Sequence, residues 1–132
     1  MTGTIHPDIA DYARRHGLDP LVDADGGFAV RIDGRHRIRL MPAGDGMLVL
    51  RARLAELPDG WQARAAHLRQ AGLLASAMAP ATDAYCGIDE GETALYLHQR
   101  VAPAGSALAV DEAVGEFVNA LATWKRAMAR WQ

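Results

Sequence analysis

Apolar and polar residues alternate from Phe28 to Leu40: Phe28, Val30 and Ile32 are separated by Ala29 and Arg31, while Ile38 and Leu40 interleave with Arg37 and Arg39. That two-residue period marks strands with one buried face. Asp33-Gly34, between the two runs, is the dipeptide best suited to the positive φ angles of a type I′ turn, so a hairpin with a two-residue loop is predicted. A second turn is predicted over Pro42–Gly46 and a third strand over Met47–Leu54, with Leu48, Leu50, Ala52 and Leu54 on one face and Val49 on the other. Connections this short make the three strands antiparallel neighbours.

Helical spacing brackets this meander. Ile5, Ile9 and Tyr12 predict a short helix over residues 5–12, with Pro7 in the tolerant first turn and Gly17 as the cap that follows. Asp59, three residues before Gln62, resembles a capping box heading the Ala- and Leu-rich stretch Gly60–Met78, which Pro80 stops. Leu68, Leu73, Leu74 and Met78 do not share one narrow stripe, so this second helix has apolar surface on two sides and needs a second partner. Ala84–Ile88 and Ala94–Val101 read as strands joined by the polar turn Asp89–Glu92. Beyond Pro103–Gly105, Val110, Val114, Phe117, Val118, Leu121, Trp124, Met128 and Trp131 keep helical spacing to the chain end. The predicted order is α-β-β-β-α-β-β-α: one α+β domain over residues 1–132, with an antiparallel sheet of about five strands, three helices and no internal repeat.

At 132 residues with half of them hydrophobic, the chain suffices for one core. Such a chain buries roughly two thirds of the surface its unfolded form exposes, so self-association is permitted and would add stability. The net charge of -2 supplies no basic field for nucleic acid. A single cysteine, Cys86, excludes an intramolecular disulfide framework and fits a reducing cytoplasm. Charges and a proline interrupt the opening MTGTIHPDIADYARR, and no apolar run approaches the roughly 18 residues that span a bilayer. A soluble cytoplasmic protein is expected, with neither membrane insertion nor a nucleic-acid partner.

Each residue type able to carry chemistry also has a structural reading. His6, His16, His36, His67 and His98 are scattered, without an i, i+4 pair or HExxH spacing, so no metal site or other cofactor is expected. Nothing local activates Cys86, and a buried structural thiol is the simpler reading. Asp89, Glu90 and Glu92 flank Gly91 as an exposed turn, and DADGG at Asp23–Gly27 lacks the further acidic positions of a calcium loop. Arg31, Arg35, Arg37 and Arg39, with His36, form the one basic cluster; no exposed aromatic set accompanies it, which favours a solvated strand face that also discourages edge pairing. Trp124 and Trp131, seven apart on the last apolar stripe, suit core or interface packing, and Trp61 is grouped with them. No catalytic residue is expected.

Four stretches, GFAVRIDG at Gly27–Gly34, MLVLRARLAELP at Met47–Pro58, LLASAM at Leu73–Met78 and EFVNALATW at Glu116–Trp124, appear in the same order and spacing as in a known family. Over nearly the whole chain, from about Ile5 to Trp131, the sequence resembles the class I type III secretion chaperones, which include the Tir chaperone. It departs in being only mildly acidic and in carrying Ala77 where an Asn is common after the paired leucines.

The resemblance implies a homodimer that holds the N-terminal chaperone-binding segment of one or several secreted effectors extended, without ATP, with the ATPase of the secretion apparatus as a further partner. Strand addition at a sheet edge, with alternate side chains in apolar pockets, would supply the affinity. The expected effector-binding residues are Ile9, Tyr12, Phe28, Val30, Ile32, Ile38 and Leu40, at least half of which can equally be core. The family's use of helix two at the dimer interface carries over to Leu68, Leu73, Leu74 and Met78. Two rivals stand beside this reading: an adaptor domain of the same fold with no role in secretion, and a small hydrolase using Cys86 and a histidine. Capture of an effector N-terminus on co-expression separates the first, and full function of Cys86→Ala counts against the second.

Overall fold

The computed structural model describes residues 5–103 and 107–131. Helix α1 (Pro7–Arg15) leads into β1 (Phe28–Ile32), β2 (His36–Pro42) and β3 (Leu48–Glu56); α2 (Trp61–Met78), β4 (Tyr85–Ile88), β5 (Ala94–Val101) and α3 (Ala107–Met128) complete the expected order. The strands form one antiparallel sheet in the order β1-β2-β3-β5-β4, which leaves β1 and β4 as edges.

Helix α1 starts later and runs longer than the periodicity of its apolar residues suggested. Pro7 takes the first helical position, the His6 Nδ1 atom accepts the Asp8 N–H at 3.0 Å, and the chain turns out at Gly17, whose φ is +66°. No capping box starts α2: its N-cap is Gly60, without a side-chain bond, because Asp59 stands one residue too early. Trp131 lies beyond the end of α3 and packs edge-on against His67 of α2, with ring centroids 5.7 Å apart. Part of the break at Pro103–Gly105 lies outside the described residues.

In the first hairpin Asp33 and Gly34 do adopt positive φ angles, 55° and 65°, and the Arg35 N–H donates to the Ile32 carbonyl at 3.0 Å. The loop nevertheless holds three residues, because Ile32 pairs with His36 and Phe28 with Leu40. The apolar faces demand this register: a two-residue loop would set Phe28 opposite Arg39 and turn one strand inside out. Arg35 is the extra residue. A second irregularity falls between Arg53 and Ala55 in the β3–β5 ladder, a bulge at Leu54, which is half-buried against the core.

One sheet face is covered by α3 and α1. Phe117, Leu121 and Trp124 of α3 are fully buried with Ile38, Leu40, Leu50 and Leu97 of the sheet. Ile9, Tyr12 and Ala13 close the core from α1, which Asp111 of α3 ties down through Arg15 at 2.5 Å and His16 at 3.0 Å. His36, brought inward by the three-residue loop, is the buried exception to this apolar set, together with Gln99.

Truncating Phe117 to Ala should destabilise the protein by about 3–5 kcal/mol, read as a lower denaturant midpoint with unchanged m-value. Acid should act through two histidines. Burial first, then Lys125 and Arg35 and against Asp33, holds His36 below the ordinary imidazole value of 6.5; burial and then Arg51 do the same to His98. Each therefore binds fewer protons folded than unfolded, so the stability it contributes is complete above 6.5 and is lost as pH falls through the lower folded value. The carboxylates Asp11, Asp25, Asp89 and Asp111, held below 3.8, add their losses only further down. Calorimetry should show Tm falling as the pH drops below the ordinary imidazole value of 6.5, and His36→Leu with His98→Leu should flatten that fall.

Candidate functional site

Two surfaces left by the core are suited to protein contacts. The first is the open edge of β1, which borders a cleft of about 560 Å³ between α1, β1 and α3. Tyr12, Val30, Ile32, Val114 and Val118 give it an apolar floor, and His16, Asp33, Asp111 and Asn119 a polar rim. Gly115 of α3 also lines it, and nothing lies within 4 Å of where its Cβ would stand, so the absent side chain leaves the cleft wall low.

Three of the seven residues expected to meet an effector, Tyr12, Val30 and Ile32, line this cleft, although Tyr12 and Val30 are otherwise buried. The other four do not. Ile9, Ile38 and Leu40 are completely buried and Phe28 nearly so; their side chains hold α1 and α3 to the sheet and could face a ligand only if the core opened. Alternation along a strand reports which residues leave water, and core and groove share that requirement. Val114, Gly115 and Val118 also line the cleft and were not among the expected residues, because helical spacing assigned the two valines to a core stripe.

The second surface is α2 with β4. Of eighteen residues in α2 only Ala71 is buried. Leu73 is 68% exposed and Trp61 76%, and Tyr85 and Ile88 of the edge strand β4 are exposed as well. Leu68, Leu74 and Met78 are half-buried and pack in part against the chain's own core, so of the four residues expected at an interface Leu73 alone stands clear of it.

The suspected chemistry resolves into structure. Asp89 accepts the Thr93 N–H at 2.7 Å, the Thr93 hydroxyl at 2.5 Å and the Ala94 N–H at 2.9 Å; the hydroxyl bond above all holds its carboxyl below the usual range. Asp23 and Asp25 bind the Arg39 guanidinium, Asp25 also takes the Gly27 N–H, and a Cβ on Gly27 would collide with Arg39. Burial pushes the Cys86 thiol up, and the register sets Cys86 opposite Leu97 while the neighbouring His98 faces Tyr85 on the other side of the sheet. Among the described residues no three His, Cys, Asp or Glu side chains gather closely enough to hold a metal ion, and no helix is long and apolar enough to cross a membrane. The sheet adds Arg51 and Arg53 of β3 to the arginine cluster, and with them one half-buried aromatic residue: β3–β5 pairing sets Tyr96 opposite Arg53, and the Arg51 guanidinium carbon lies 3.9 Å from the Tyr96 ring centroid.

Residues 9–125 match the profile of the Tir chaperone protein (CesT) family. The chain belongs to that family. It is a class I type III secretion chaperone by family, and three solved structures share its fold. A chain of the ExsC–ExsE complex superposes with a TM-score of 0.67 at 20% identity, covering 92% of this chain and 90% of its own. A chain of the HopA1–SchA chaperone–effector complex gives 0.66 at 18% identity, covering 89% and 90%. A chain of the complex of the Yersinia pestis type III secretion chaperone SycH with a stable fragment of YscM2 gives 0.61 at 20% identity, covering 92% and 99%. No curated protein matches the chain significantly.

Because nothing within 4 Å opposes a Cβ on Gly115 and the site is mid-helix, Gly115→Ala should stabilise the protein by about 0.5–1 kcal/mol. Thermal denaturation of the two proteins side by side checks that the cleft wall is open there.

Proposed function

We propose that this family member is a cytoplasmic homodimer that binds the N-terminal chaperone-binding segment of one or more type III secreted effectors and keeps it extended and competent for secretion, without ATP. The observation that carries the reading is the unpaired β1 edge beside an apolar cleft. A client strand added to β1 gains main-chain hydrogen bonds, and its alternate side chains enter the cleft over Tyr12, Val30, Ile32 and Val118. Binding of that kind needs positioned contacts and no catalytic residue. Hand-over to the ATPase of the secretion apparatus would follow from the same role.

The dimer reading rests on α2. An 18-residue helix with one buried residue is costly to maintain alone, and burying the exposed Leu73 beside Gly72 against a second copy removes apolar surface from water. Leu68, Leu74 and Met78 would border that contact from their half-buried positions.

Co-expression with N-terminal segments of effectors from the same host should yield a stable complex. Gly115→Phe, which fills the cleft, and Ile32→Asp, which charges its floor, should each reduce capture at least roughly tenfold while the helical and sheet signals in circular dichroism persist. Light scattering at micromolar concentration should give twice the chain mass, and Leu73→Asp should shift it toward the monomer. A wild-type monomer, or capture indifferent to both cleft substitutions, would sink the respective half of the proposal.

A further inference from the structure

Strands β2 and β3 pair only from Arg39↔Arg51 to Pro42↔Leu48, although β2 begins at His36 and β3 continues to Glu56. Beyond Arg39 and Arg51 the two strands separate, and a cavity of about 340 Å³ lies there. Its lining brings together Arg35, Arg37, Arg39, Arg51, Arg53 and Lys125, with Tyr96 and no carboxylate among the described residues.

Two of these cations are partly answered at the rim, Arg39 by Asp23 and Asp25 and Arg53 by Glu56 at 3.6 Å. Among the described residues Arg35, Arg37, Arg51 and Lys125 have no carboxylate within 4.0 Å. The Arg51 Nε atom is buried without a hydrogen-bond partner, and its guanidinium rests on the Tyr96 ring. Six like charges around one small cavity repel one another, and an anion entering it relieves that repulsion.

We propose that this cavity binds an acidic stretch of polypeptide that continues from the client strand on β1, an assignment that rests on the chaperone reading above. The hairpin loop links the two: β1 ends at Ile32, and the loop that follows carries Arg35 to the cavity lining. Arg37 and Arg39, and likewise Arg51 and Arg53, are two residues apart on strands, a repeat of about 6.6 Å that equals the spacing of alternate side chains in an extended acidic segment. Guanidinium forks suit carboxylates, which they engage through paired hydrogen bonds. Single-stranded nucleic acid fits less well. The Tyr96 face is occupied by Arg51, Tyr85 stacks on His98 at 5.3 Å, and a net charge of -2 gives a polyanion no long-range attraction.

The probe is a fluorescent octaglutamate peptide, titrated with the full chain and followed by anisotropy at low salt. Binding should weaken as salt rises, fall roughly tenfold or more in Arg35→Glu with Arg37→Glu, and be unchanged by Arg130→Glu, outside the cavity. Both loop-side arginines are exposed, so the double variant should keep its fold, verified by Tm. Absence of octaglutamate binding, or equal loss in Arg130→Glu, overturns the proposal. So does an oligothymidylate 12-mer that binds more tightly and displaces the peptide. Ile32→Asp keeps the two readings apart: loss of effector capture with octaglutamate binding intact supports the cavity as a site in its own right, whereas intact capture with no octaglutamate binding removes the cavity proposal and leaves the chaperone reading standing.

Discussion

Burial of one sheet face beneath α3 is the contact on which the rest of this molecule depends. Strand side chains repeat every two residues and helical ones about every 3.6, so a single helix can cover several strands only if its large residues fall where the strand rows converge. Phe117, Leu121 and Trp124 occupy those positions, and α1 adds Ile9 and Tyr12. The need to keep Phe28 and Val30 on that face with Ile38 and Leu40 also sets the register of the first hairpin and forces its third loop residue.

The candidate functional surfaces are what this packing leaves over. A sheet in the order β1-β2-β3-β5-β4 ends in two open edges, and the helices that cover its inner face also wall the cleft beside β1. A free strand edge is a hazard for aggregation, and the strand addition proposed at β1 would give this chain a reason to keep one. Helix α2 is a remainder of another kind, since the core needs little of it beyond Ala71. Membership of the Tir chaperone protein family gives both remainders a shared context, since the proposed function uses one to hold a client and the other to hold a second copy.

The outer face of the sheet follows the same logic with opposite chemistry. Positions that alternate away from the core carry Arg31, Arg37, Arg39, Arg51 and Arg53, so forming the ladder draws together charges that lie far apart in the chain. Net charge hides such a face: 14 basic against 16 acidic residues describes the sum and not its distribution. The acidic residues are largely elsewhere, in turns such as Asp89–Glu92 and at the α1–α3 junction of Asp11 and Asp111.

Local pattern was enough for the element order, for β1 and β5 to the residue, for the positive φ angles at Asp33-Gly34 and for the two-sided apolarity of α2, because each depends on neighbours within a few residues. Pairing decided the rest. Whether Ile38 or Val118 belongs to core or cleft turns on what covers it, and an apolar residue has the same sequence signature in either place. The contact of Arg51 with Tyr96 was invisible for a like reason: the two are 45 positions apart in number and meet only through the β3–β5 ladder. The sequence alone determined that this chain has an α+β core and apolar surface beyond what that core uses, since hydrophobic periodicity is a local property. Which residues form the cleft, and where the cations converge, was decided only by tertiary structure, since both arise between strands and helices that the chain brings together from a distance.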